Sequence, residues 1–198
     1  MKYYLLRHGE TLFNQKGITQ GWCDSPLTEK GNMQAYLAGK GLYDIDFECA
    51  YVSDLGRTRE TFEKFKEAYQ KDIPVSFHKE LREMYFGSQE GEHFSKLSNA
   101  VSYDKGFAII GGETKEEVSK RVFSFLDDMR KNHQGNVLVI SHGWAIRSAL
   151  RAVDEAMVED KLKLQENKTL NCSISIIDYS DGKYTLEEIF DISYRDKA

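Results

Sequence analysis

The sequence predicts an α/β protein of three layers, an α/β/α sandwich with a mostly parallel central sheet. Short apolar segments alternate with amphipathic helical patterns, as expected where helices join parallel strands. Residues 136–141, NVLVIS, are almost continuously apolar and rich in β-branched residues, which is typical of a strand covered on both faces. Near the C-terminus, the segments SISIIDY and KYTLEEI flank the turn sequence SDG and predict an added hairpin.

The first half of the chain follows this alternation. Residues 2–7, KYYLLR, predict the first strand, and residues 49–53, CAYVS, predict the second. Between them, Thr28 is a suitable N-cap for a helix. After the second strand, apolar residues recur at helical spacing, at Leu55, Phe62, Phe65 and Tyr69.

The clearest helical pattern covers residues 115–131. Thr114 and Glu117 have the spacing of a capping box, which satisfies backbone N–H groups at a helix start. Its apolar stripe consists of Val118, Val122, Phe125, Leu126 and Met129. The preceding segment, about 86–111, is rich in glycine and lacks a period, and we expect an inserted lid there. We therefore predict a single domain over residues 1–198 that carries this lid.

Composition limits the classes of function. The 198 residues are 40% hydrophobic and 30% charged, and the net charge is −5. An acidic chain without a basic run is unsuited to binding nucleic acid or an anionic membrane surface. Charges at Arg7 and Glu10 interrupt any signal-like apolar segment, and the three cysteines form no C-x-x-C motif. We expect a cytoplasmic protein, monomeric or homodimeric, that acts on a small molecule.

Polar residues stand at the ends of the predicted strands. The first strand ends at Arg7 and His8, and the central strand ends at His142. Arg57 lies in the helical turn after the second strand, and Glu83 ends a further extended segment. Ligands of open α/β sheets bind beyond the carboxyl ends of the strands. We therefore expect these five side chains to converge on one pocket.

The residue types in this group indicate an anion. If Asp54 caps the helix after the second strand, Arg57 lies in its first turn, where a cation opposes the helix dipole but helps to bind an anion. Two arginines and two histidines suit phosphate, because guanidinium groups bind its oxygens in bidentate fashion. Metal ligation by His8, His142 and a carboxylate is the weaker alternative, since adjacent arginines would repel a divalent cation.

The remaining histidines and several arginines have simpler interpretations. A lone histidine is more often a surface or satisfied core residue than a catalyst, and this is what we expect of His78, His93 and His133. Ion pairs with nearby carboxylates are expected for Arg59, Arg121, Arg130 and Arg151.

Several segments, in order, resemble the histidine phosphatase superfamily, the phosphoglycerate-mutase-like proteins. They are LLRHGET at 5–11, GWCDSPLTEKGNMQA at 21–35, SDLGRTRETF at 53–62, LREMYFGSQEG at 81–91 and VLVISHGW at 137–144. The segments GGET at 111–114 and NCSI at 171–174 are similar to the small bacterial phosphatases of the group. The resemblance spans nearly the whole chain and is weakest over 88–110.

The resemblance implies a role for each site residue. His8 would attack phosphorus as a neutral imidazole, and Glu83 would protonate the leaving oxygen and then activate water. The phosphoryl oxygens would be held by Arg7, Arg57 and His142. Further hydrogen bonds would come from Asn14, Gln20 and Gly21. Fixed cations can supply the charge stabilisation that phosphoryl transfer needs, so we expect no metal and no cofactor.

The family contains both phosphatases and mutases, and two features favour hydrolysis. In a mutase, the resemblance implies paired lid arginines for the second phosphate, but residues 86–110 contain only Lys96 and Lys105 as cations. Trp144 stands where mutases carry a polar residue. The predicted pocket wall is aromatic, with Tyr85, Phe86, Phe94, Phe107 and Trp144, although several of these could simply complete the core.

We therefore expect a metal-independent phosphomonoesterase that acts on small phosphate esters through a phosphohistidine. The alternative is a cofactor-dependent phosphoglycerate mutase. A non-catalytic phosphate-binding regulatory protein is less expected, because His8 and Glu83 are both present. The sequence does not identify the physiological substrate.

Overall fold

A six-stranded sheet forms the centre of the protein. The computed structural model describes residues 1–96, 107–164 and 169–197. The strands are β1 (Lys2–Arg7), β2 (Phe47–Ser53), β3 (Val75–His78), β4 (Asn136–Ser141), β5 (Ile174–Ser180) and β6 (Lys183–Asp191). Their order in the described sheet is β3-β2-β4-β1-β5-β6. The first four strands are parallel to one another, and β5 runs antiparallel to both of its neighbours, β1 and β6. The predicted mostly parallel sheet, with NVLVIS in its interior, is confirmed.

Helices cover both faces of this sheet. They are α1 (Leu12–Lys16), α2 (Glu29–Gly41), α3 (Gly56–Tyr69), α4 (Lys115–Arg130) and α5 (Gly143–Leu164). Side chains alternate along β1, so Tyr3 and Leu5 pack in one apolar cluster with residues of α4 and α5. Tyr4 and Leu6 pack in the opposite cluster with residues of α2 and α3. The predicted three-layer arrangement is confirmed.

The start of α4 is capped as its sequence predicts. The Thr114 hydroxyl accepts a hydrogen bond from Glu117 N at 3.1 Å, and the Glu117 carboxylate accepts one from Thr114 N at 2.8 Å. Four of the five predicted stripe residues are buried, and Met129 packs against their cluster while partly buried. This helix therefore begins and ends within one residue of the prediction.

The C-terminal hairpin is closed by Asp181 and Gly182. Both residues have positive φ, 51° and 78° respectively, which is the backbone of a type I′ turn. Ser180 pairs with Lys183 directly beside the turn. Glycine and aspartate tolerate this left-handed backbone, so the predicted turn sequence sets the register of the hairpin.

Ion pairs form at three of the four arginines for which they are expected. The pairs are Arg121–Glu113 at 2.8 Å, Arg130–Asp127 at 3.2 Å and Arg151–Glu159 at 2.6 Å. In the part of the chain that the structure describes, Arg59 forms no ion pair. Its Nε donates to the carbonyl oxygen of Asp54 at 3.0 Å, and its guanidinium lies 3.7 Å from the centroid of the Phe77 ring.

The predicted lid is described only at its two ends. Short 3₁₀ turns occupy Gly87–Gln89, Phe94–Lys96 and Ala108–Ile110, while residues 97–106, with Lys105, lie outside the described ranges. Phe86 and Phe107 are buried and meet edge to face, with ring centroids 4.7 Å apart. In the described ranges, every helix is too short or too polar to span a bilayer.

Candidate active site

Two histidines meet at the carboxyl ends of β1 and β4. Arg7 pairs with Ser141 at the end of this parallel ladder, and His8 N donates to Ser141 O at 3.0 Å just beyond it. The rings of His8 and His142 are buried, with centroids 5.2 Å apart. The register of two adjacent parallel strands therefore brings together residues that are 134 positions apart in the sequence.

The hydrogen bonds of His8 define its tautomer. Its Nδ1 lies 2.8 Å from the carbonyl oxygen of Gly9, which can only accept, so Nδ1 carries the proton. Nε2 is then left with its lone pair. Burial, reinforced by the charges of Arg57 and Arg7, holds the pKa of His8 well below its usual value. His8 is therefore a neutral imidazole whose Nε2 is a potential nucleophile.

His142 is neutral in the opposite tautomer. Arg57 Nε, which can only donate, lies 3.1 Å from His142 Nδ1, so this nitrogen accepts. His142 Nε2 then donates to Ser53 Oγ at 2.8 Å. Burial and the nearby charge of Arg57 hold the pKa of His142 well below its usual value. Both ring nitrogens are thus occupied by protein groups.

Arg57 is completely buried, and Asp24 balances its charge. Asp24 Oδ1 accepts from Arg57 Nη1 at 2.9 Å, and Asp24 Oδ2 accepts from the Arg57 backbone N–H at 3.3 Å. Carbonyl oxygens of Cys23 and Gly21 accept from Nη1 and Nη2 at 3.0 and 2.8 Å. With His142 these acceptors take four of the five guanidinium hydrogens. Among the described residues, one Nη2 hydrogen of Arg57 is therefore left without an acceptor.

The expectation that Asp54 caps α3 is wrong. Leu55 occupies the N-cap without a side-chain hydrogen bond, and both oxygens of Asp54 accept from Arg82 at 2.7 Å. A bidentate arginine–carboxylate pair is stronger than a neutral capping bond, so Asp54 is drawn to Arg82. The backbone N–H of Arg57 is bound instead by Asp24, which lies far away in the sequence.

Arg7 has a buried donor that is unsatisfied among the described residues. Its Nη1 donates to the carbonyl oxygen of Thr169, but its buried Nε has no hydrogen-bond partner among the described residues. A Cβ atom built on Gly143 would lie 3.6 Å from this Nε, so glycine keeps the approach open. Burial lowers the pKa of Arg7, although Glu83 opposes the shift. A buried N–H without an acceptor is costly, and an anionic ligand would satisfy it.

Glu83 is held at the first turn of α5. Its Oε1 accepts from Met84 N at 2.9 Å and from Ala145 N at 3.0 Å. Its Oε2 accepts from Trp144 N alone among the described residues, at 3.1 Å. A Cβ atom built on Gly143 would lie 3.7 Å from Oε2. Among the described residues, Oε2 therefore keeps a lone pair, on the side of the carboxylate where Arg7 Nε also lies.

A cavity of about 650 Å³ opens above these groups. Among the predicted site residues, the cavity is lined by Arg7, His8, Asn14, Gln20, Glu83 and Trp144. Arg57, His142 and Gly21 lie behind its wall. Of the predicted aromatic wall, Phe86, Phe94 and Phe107 line the cavity with Trp144. Tyr85 does not, because its ring packs 5.1 Å from that of Trp22.

Asn14 and Gln20 are tied to the same capping residue. Thr11 N donates to Asn14 Oδ1 at 3.2 Å, and the Thr11 hydroxyl donates to Gln20 Oε1 at 2.7 Å. Asn171 Nδ2 also donates to Asn14 Oδ1, at 3.2 Å, and to the carbonyl oxygen of His8, at 3.1 Å. These hydrogen bonds hold the amide oxygens of Asn14 and Gln20 against donors of the protein itself. The Asn14 amide nitrogen is the group that can face a ligand.

Glu90 holds the loop of residues 21–23 in place, and the sequence analysis did not identify it. Its two carboxylate oxygens accept from the backbone N–H groups of Gly21, Trp22, Cys23 and Phe86, at 2.9 to 3.2 Å. A Cβ on Gly21 would lie 2.1 Å from Glu90 Oε1, so only glycine fits there. Glu90 thereby orients the carbonyl oxygens that hold Arg57. A single glutamate in a glycine-rich segment gives no sequence signal for this role.

Sequence reasoning also missed two arginines of the cavity wall. Arg147 was not singled out, and Arg151 was expected only to form an ion pair, yet both line the cavity together with Lys115. A signal does exist. Trp144, Arg147 and Arg151 are spaced i, i+3 and i+7 directly after His142, which places them on one helix face.

The fold and the site define an α/β protein that gathers histidines, arginines and a glutamate at the carboxyl ends of parallel strands. Residues 3–192 match the family model of the histidine phosphatase superfamily, branch 1. The chain belongs to this superfamily, and the resemblance inferred from its motifs is confirmed.

Among the relatives and solved structures that are similar to this chain, some are named as phosphoglycerate mutases and others as phosphatases. A Salmonella typhi protein named "Probable phosphoglycerate mutase GpmB" is 34% identical over 212 residues, covering 99% of this chain and 95% of that protein. The structure of phosphoglycerate mutase from Bacillus anthracis superposes with a TM-score of 0.86 at 31% identity, covering 100% and 96% of the two chains. Phosphoserine phosphatase from Entamoeba histolytica, solved with 3-phosphoglyceric acid, gives a TM-score of 0.79 at 25% identity, covering 98% of each chain. Membership therefore supports an enzyme of phosphate esters and leaves phosphatase and mutase both open.

Proposed function

We propose that this protein is a phosphatase that hydrolyses small phosphate monoesters through a phosphohistidine at His8. The observation that carries the proposal is that a potential nucleophile and a cation line the same cavity. His8 is neutral with a lone pair on Nε2, and Arg7 has a buried N–H without an acceptor among the described residues. A nucleophile beside an unsatisfied cation suits an electrophilic phosphorus whose oxygens are negative.

The reaction follows in two steps from these groups. His8 Nε2 attacks phosphorus, the bond from phosphorus to the ester oxygen breaks, and Glu83 Oε2 gives its proton to that oxygen. Water then attacks the phosphohistidine, Glu83 takes one proton from it, and the bond between phosphorus and Nε2 breaks to release phosphate. Arg7 balances the charge on the phosphoryl oxygens, and the charge of Arg57 acts on them from behind the cavity wall. His142 holds Arg57 in position by accepting from its Nε.

The experiment that tests this proposal traps the intermediate. Brief incubation with a ³²P-labelled ester should give acid-labile, base-stable label at His8, and His8→Ala should lose both label and turnover. His93→Ala, at an exposed histidine outside the cavity wall, should keep both. Label on a serine or aspartate would show that the mechanism is wrong.

A phosphoglycerate mutase is the second candidate, and one observation favours it. The argument against it was the lack of arginine in residues 86–110, yet Lys115, Arg147 and Arg151 line the same cavity from other elements. These cations could replace lid arginines as partners for a second phosphate. Interconversion of 3- and 2-phosphoglycerate in the presence of bisphosphoglycerate should be slower than hydrolysis of the best ester. A faster mutase rate would assign the protein to that reaction instead.

A further inference from the structure

The segment that carries Glu83 has no regular secondary structure. Residues 82–86 form neither helix nor strand, and they follow a short 3₁₀ turn at Lys79–Leu81. Glu83 is nevertheless buried. A strand or helix satisfies its backbone groups through its own hydrogen bonds, whereas an irregular buried segment needs partners from elsewhere in the chain. The position of the Glu83 side chain therefore depends on the groups that bind this backbone.

Arg121, from α4, binds this backbone at three carbonyl oxygens. Its Nη1 donates to the carbonyl oxygens of Glu80 at 2.8 Å and Arg82 at 2.9 Å. Its Nη2 donates to the carbonyl oxygen of Glu83 at 3.3 Å. Arg121 is partly buried and lies outside the described lining of the cavity. It can therefore act on a bound ligand only through the residues that it holds.

Glu113, from the segment GGET, completes the arrangement. Its Oε1 accepts from Arg121 Nε at 3.0 Å, and its Oε2 accepts from Arg121 Nη2 at 2.8 Å. Oε2 also accepts from Tyr85 N at 2.8 Å, and Glu113 N donates to the carbonyl oxygen of Tyr85 at 2.8 Å. All five guanidinium hydrogens of Arg121 are thereby used. The pair of Arg121 and Glu113, which we call the clamp, holds the backbone on both sides of Glu83.

Two further side chains hold the same backbone from other elements. Ser141 Oγ donates to the carbonyl oxygen of Leu81 at 2.7 Å, and Trp22 Nε1 donates to that of Glu83 at 3.0 Å. The Glu83 carbonyl oxygen thus accepts from both Arg121 and Trp22, which occupies its two lone pairs. The indole N–H of Trp22 is therefore a probe of where the Glu83 backbone lies.

A guanidinium group suits this role because of its shape. Its five donors lie in one plane with fixed directions, whereas a lysine ammonium is a point charge on a flexible stem. An acid gives up its proton efficiently only when it lies about 2.6–3.2 Å from the accepting atom. A misplacement of about 1 Å can cost on the order of 10²-fold in rate. A small movement of the segment would therefore have a large effect on proton transfer.

We propose that Arg121, held by Glu113, is a positioning residue that keeps Glu83 at the distance from the leaving oxygen that proton transfer needs. The inference rests on the proposed function, in which Glu83 is the acid, and adds to it a pair of residues outside the cavity wall. An ion pair that only stabilised the fold would affect all substrates alike. Loss of the clamp should instead affect the step in which the leaving oxygen is protonated.

Two esters with different leaving groups test the proposal. An alkyl phosphate needs a proton on its leaving oxygen, whereas p-nitrophenyl phosphate hardly does. In single-turnover formation of the phosphohistidine, Arg121→Gln should slow the alkyl phosphate about 10- to 100-fold and p-nitrophenyl phosphate very little. Retained turnover of p-nitrophenyl phosphate also shows that the variant is folded. If Glu83→Gln shows this dependence on the leaving group and folded Arg121→Gln does not, the present proposal alone is overturned.

A second variant covers the case in which Arg121→Gln does not fold. Glu113→Gln keeps the size of the side chain and one acceptor oxygen, so it should weaken the clamp without removing it. The same dependence on the leaving group is expected, with a loss of about three- to tenfold for the alkyl phosphate. Arg130→Gln, at another arginine of α4 that pairs with Asp127, is the matched control and should keep both rates. Equal losses for the two esters in Glu113→Gln would contradict the proposal.

Combined variants separate positioning from a general structural role. On the alkyl phosphate, Arg121→Gln should add almost nothing to the loss caused by Glu83→Gln, because the acid is already absent. A structural role would give the same further loss in both backgrounds. Full additivity of the two losses would therefore overturn the proposal.

Spectroscopy separates this proposal from the proposed function. If the wild type forms no phosphohistidine with either ester, the proposed function has failed and the rates above do not apply. The Trp22 indole N–H signal in ¹H–¹⁵N spectra, assigned with Trp22→Phe, then reports on the position of Glu83. A signal that moves in Arg121→Gln and stays in place in Arg130→Gln would still support the positioning of Glu83 by the clamp. An unchanged signal in Arg121→Gln would exclude it.

Discussion

At the scale of single residues, the direction of each hydrogen bond decides what a group can do. Glu83 is an example, because three backbone N–H groups fix its carboxylate and leave one lone pair on Oε2. That oxygen is the candidate for giving a proton to the leaving group. Its importance should therefore depend on how basic the leaving oxygen is.

Glu83→Gln should slow an alkyl phosphate far more than p-nitrophenyl phosphate. An alkoxide needs a proton in the transition state, and removing a positioned acid costs on the order of 10²- to 10⁴-fold. A p-nitrophenolate leaves readily without one. Single-turnover formation of the phosphohistidine measures the difference, since the later hydrolysis is common to both substrates. An equal loss for the two esters would limit Glu83 to holding the shape of the pocket.

The lowered pKa of His8 predicts that the stability of the protein changes with pH. Its pKa in the folded protein lies well below its usual value, whereas the unfolded chain binds a proton near pH 6.5. Below about pH 6.5 the unfolded state therefore holds more protons, and the free energy of unfolding falls as pH decreases, by up to about 1.4 kcal/mol per pH unit for one histidine. This loss starts near pH 6.5 and continues down to the folded-state pKa.

Urea denaturation of His8→Asn between pH 7 and 5 measures this contribution. The slope of unfolding free energy against pH should be shallower than in the wild type, because one buried neutral imidazole is gone. His93→Asn, at an exposed position, should keep the wild-type slope. Equal slopes for wild type and His8→Asn would mean that His8 takes up its proton in the folded protein as readily as in the unfolded chain.

At the scale of secondary-structure elements, local signals and tertiary contacts differ in how well they can be predicted. The bounds of α4 follow from Thr114 and Glu117, which lie three residues apart and bond to each other. The start of α3 could not be predicted this way, because Arg82 competes for Asp54 from another segment. Helix α5 likewise breaks at Asp154, whose backbone angles are not helical, and this break accompanies an ion pair between residues eight positions apart.

The cap at this break can be tested directly. Asp154→Ala should lower the free energy of unfolding by about 1 kcal/mol, because Met157 N loses its side-chain acceptor. Asp154→Asn keeps an acceptor oxygen and is the matched control, with a stability close to the wild type. Urea denaturation at neutral pH compares the three proteins. Equal destabilisation by Ala and Asn would show that charge at this position, rather than capping, stabilises the break.

At the scale of the whole molecule, the layers and the mostly parallel sheet could be predicted, and the layout of the cavity only in part. Adjacent parallel strands bring Arg7, His8 and His142 to one edge, as their positions at strand ends predicted. Which side chains then face the cavity depends on packing around them. Arg57 lies behind the wall because Asp24 and two carbonyl oxygens hold it there, and these partners come from a loop without a recognisable pattern.

The charge of the whole site leads to a prediction about metal ions. Phosphoryl transfer needs positive charge near the phosphoryl oxygens. In the proposed reaction this charge comes from fixed positions, from Arg7 at the cavity and from Arg57 behind its wall. A divalent cation placed there would be repelled by both guanidinium groups, which cannot lose their charge at neutral pH. Turnover of p-nitrophenyl phosphate should therefore be unchanged after dialysis against excess EDTA, and added magnesium should not raise it. Activity that disappears with EDTA and returns with magnesium would mean that the arginines alone do not stabilise the transition state.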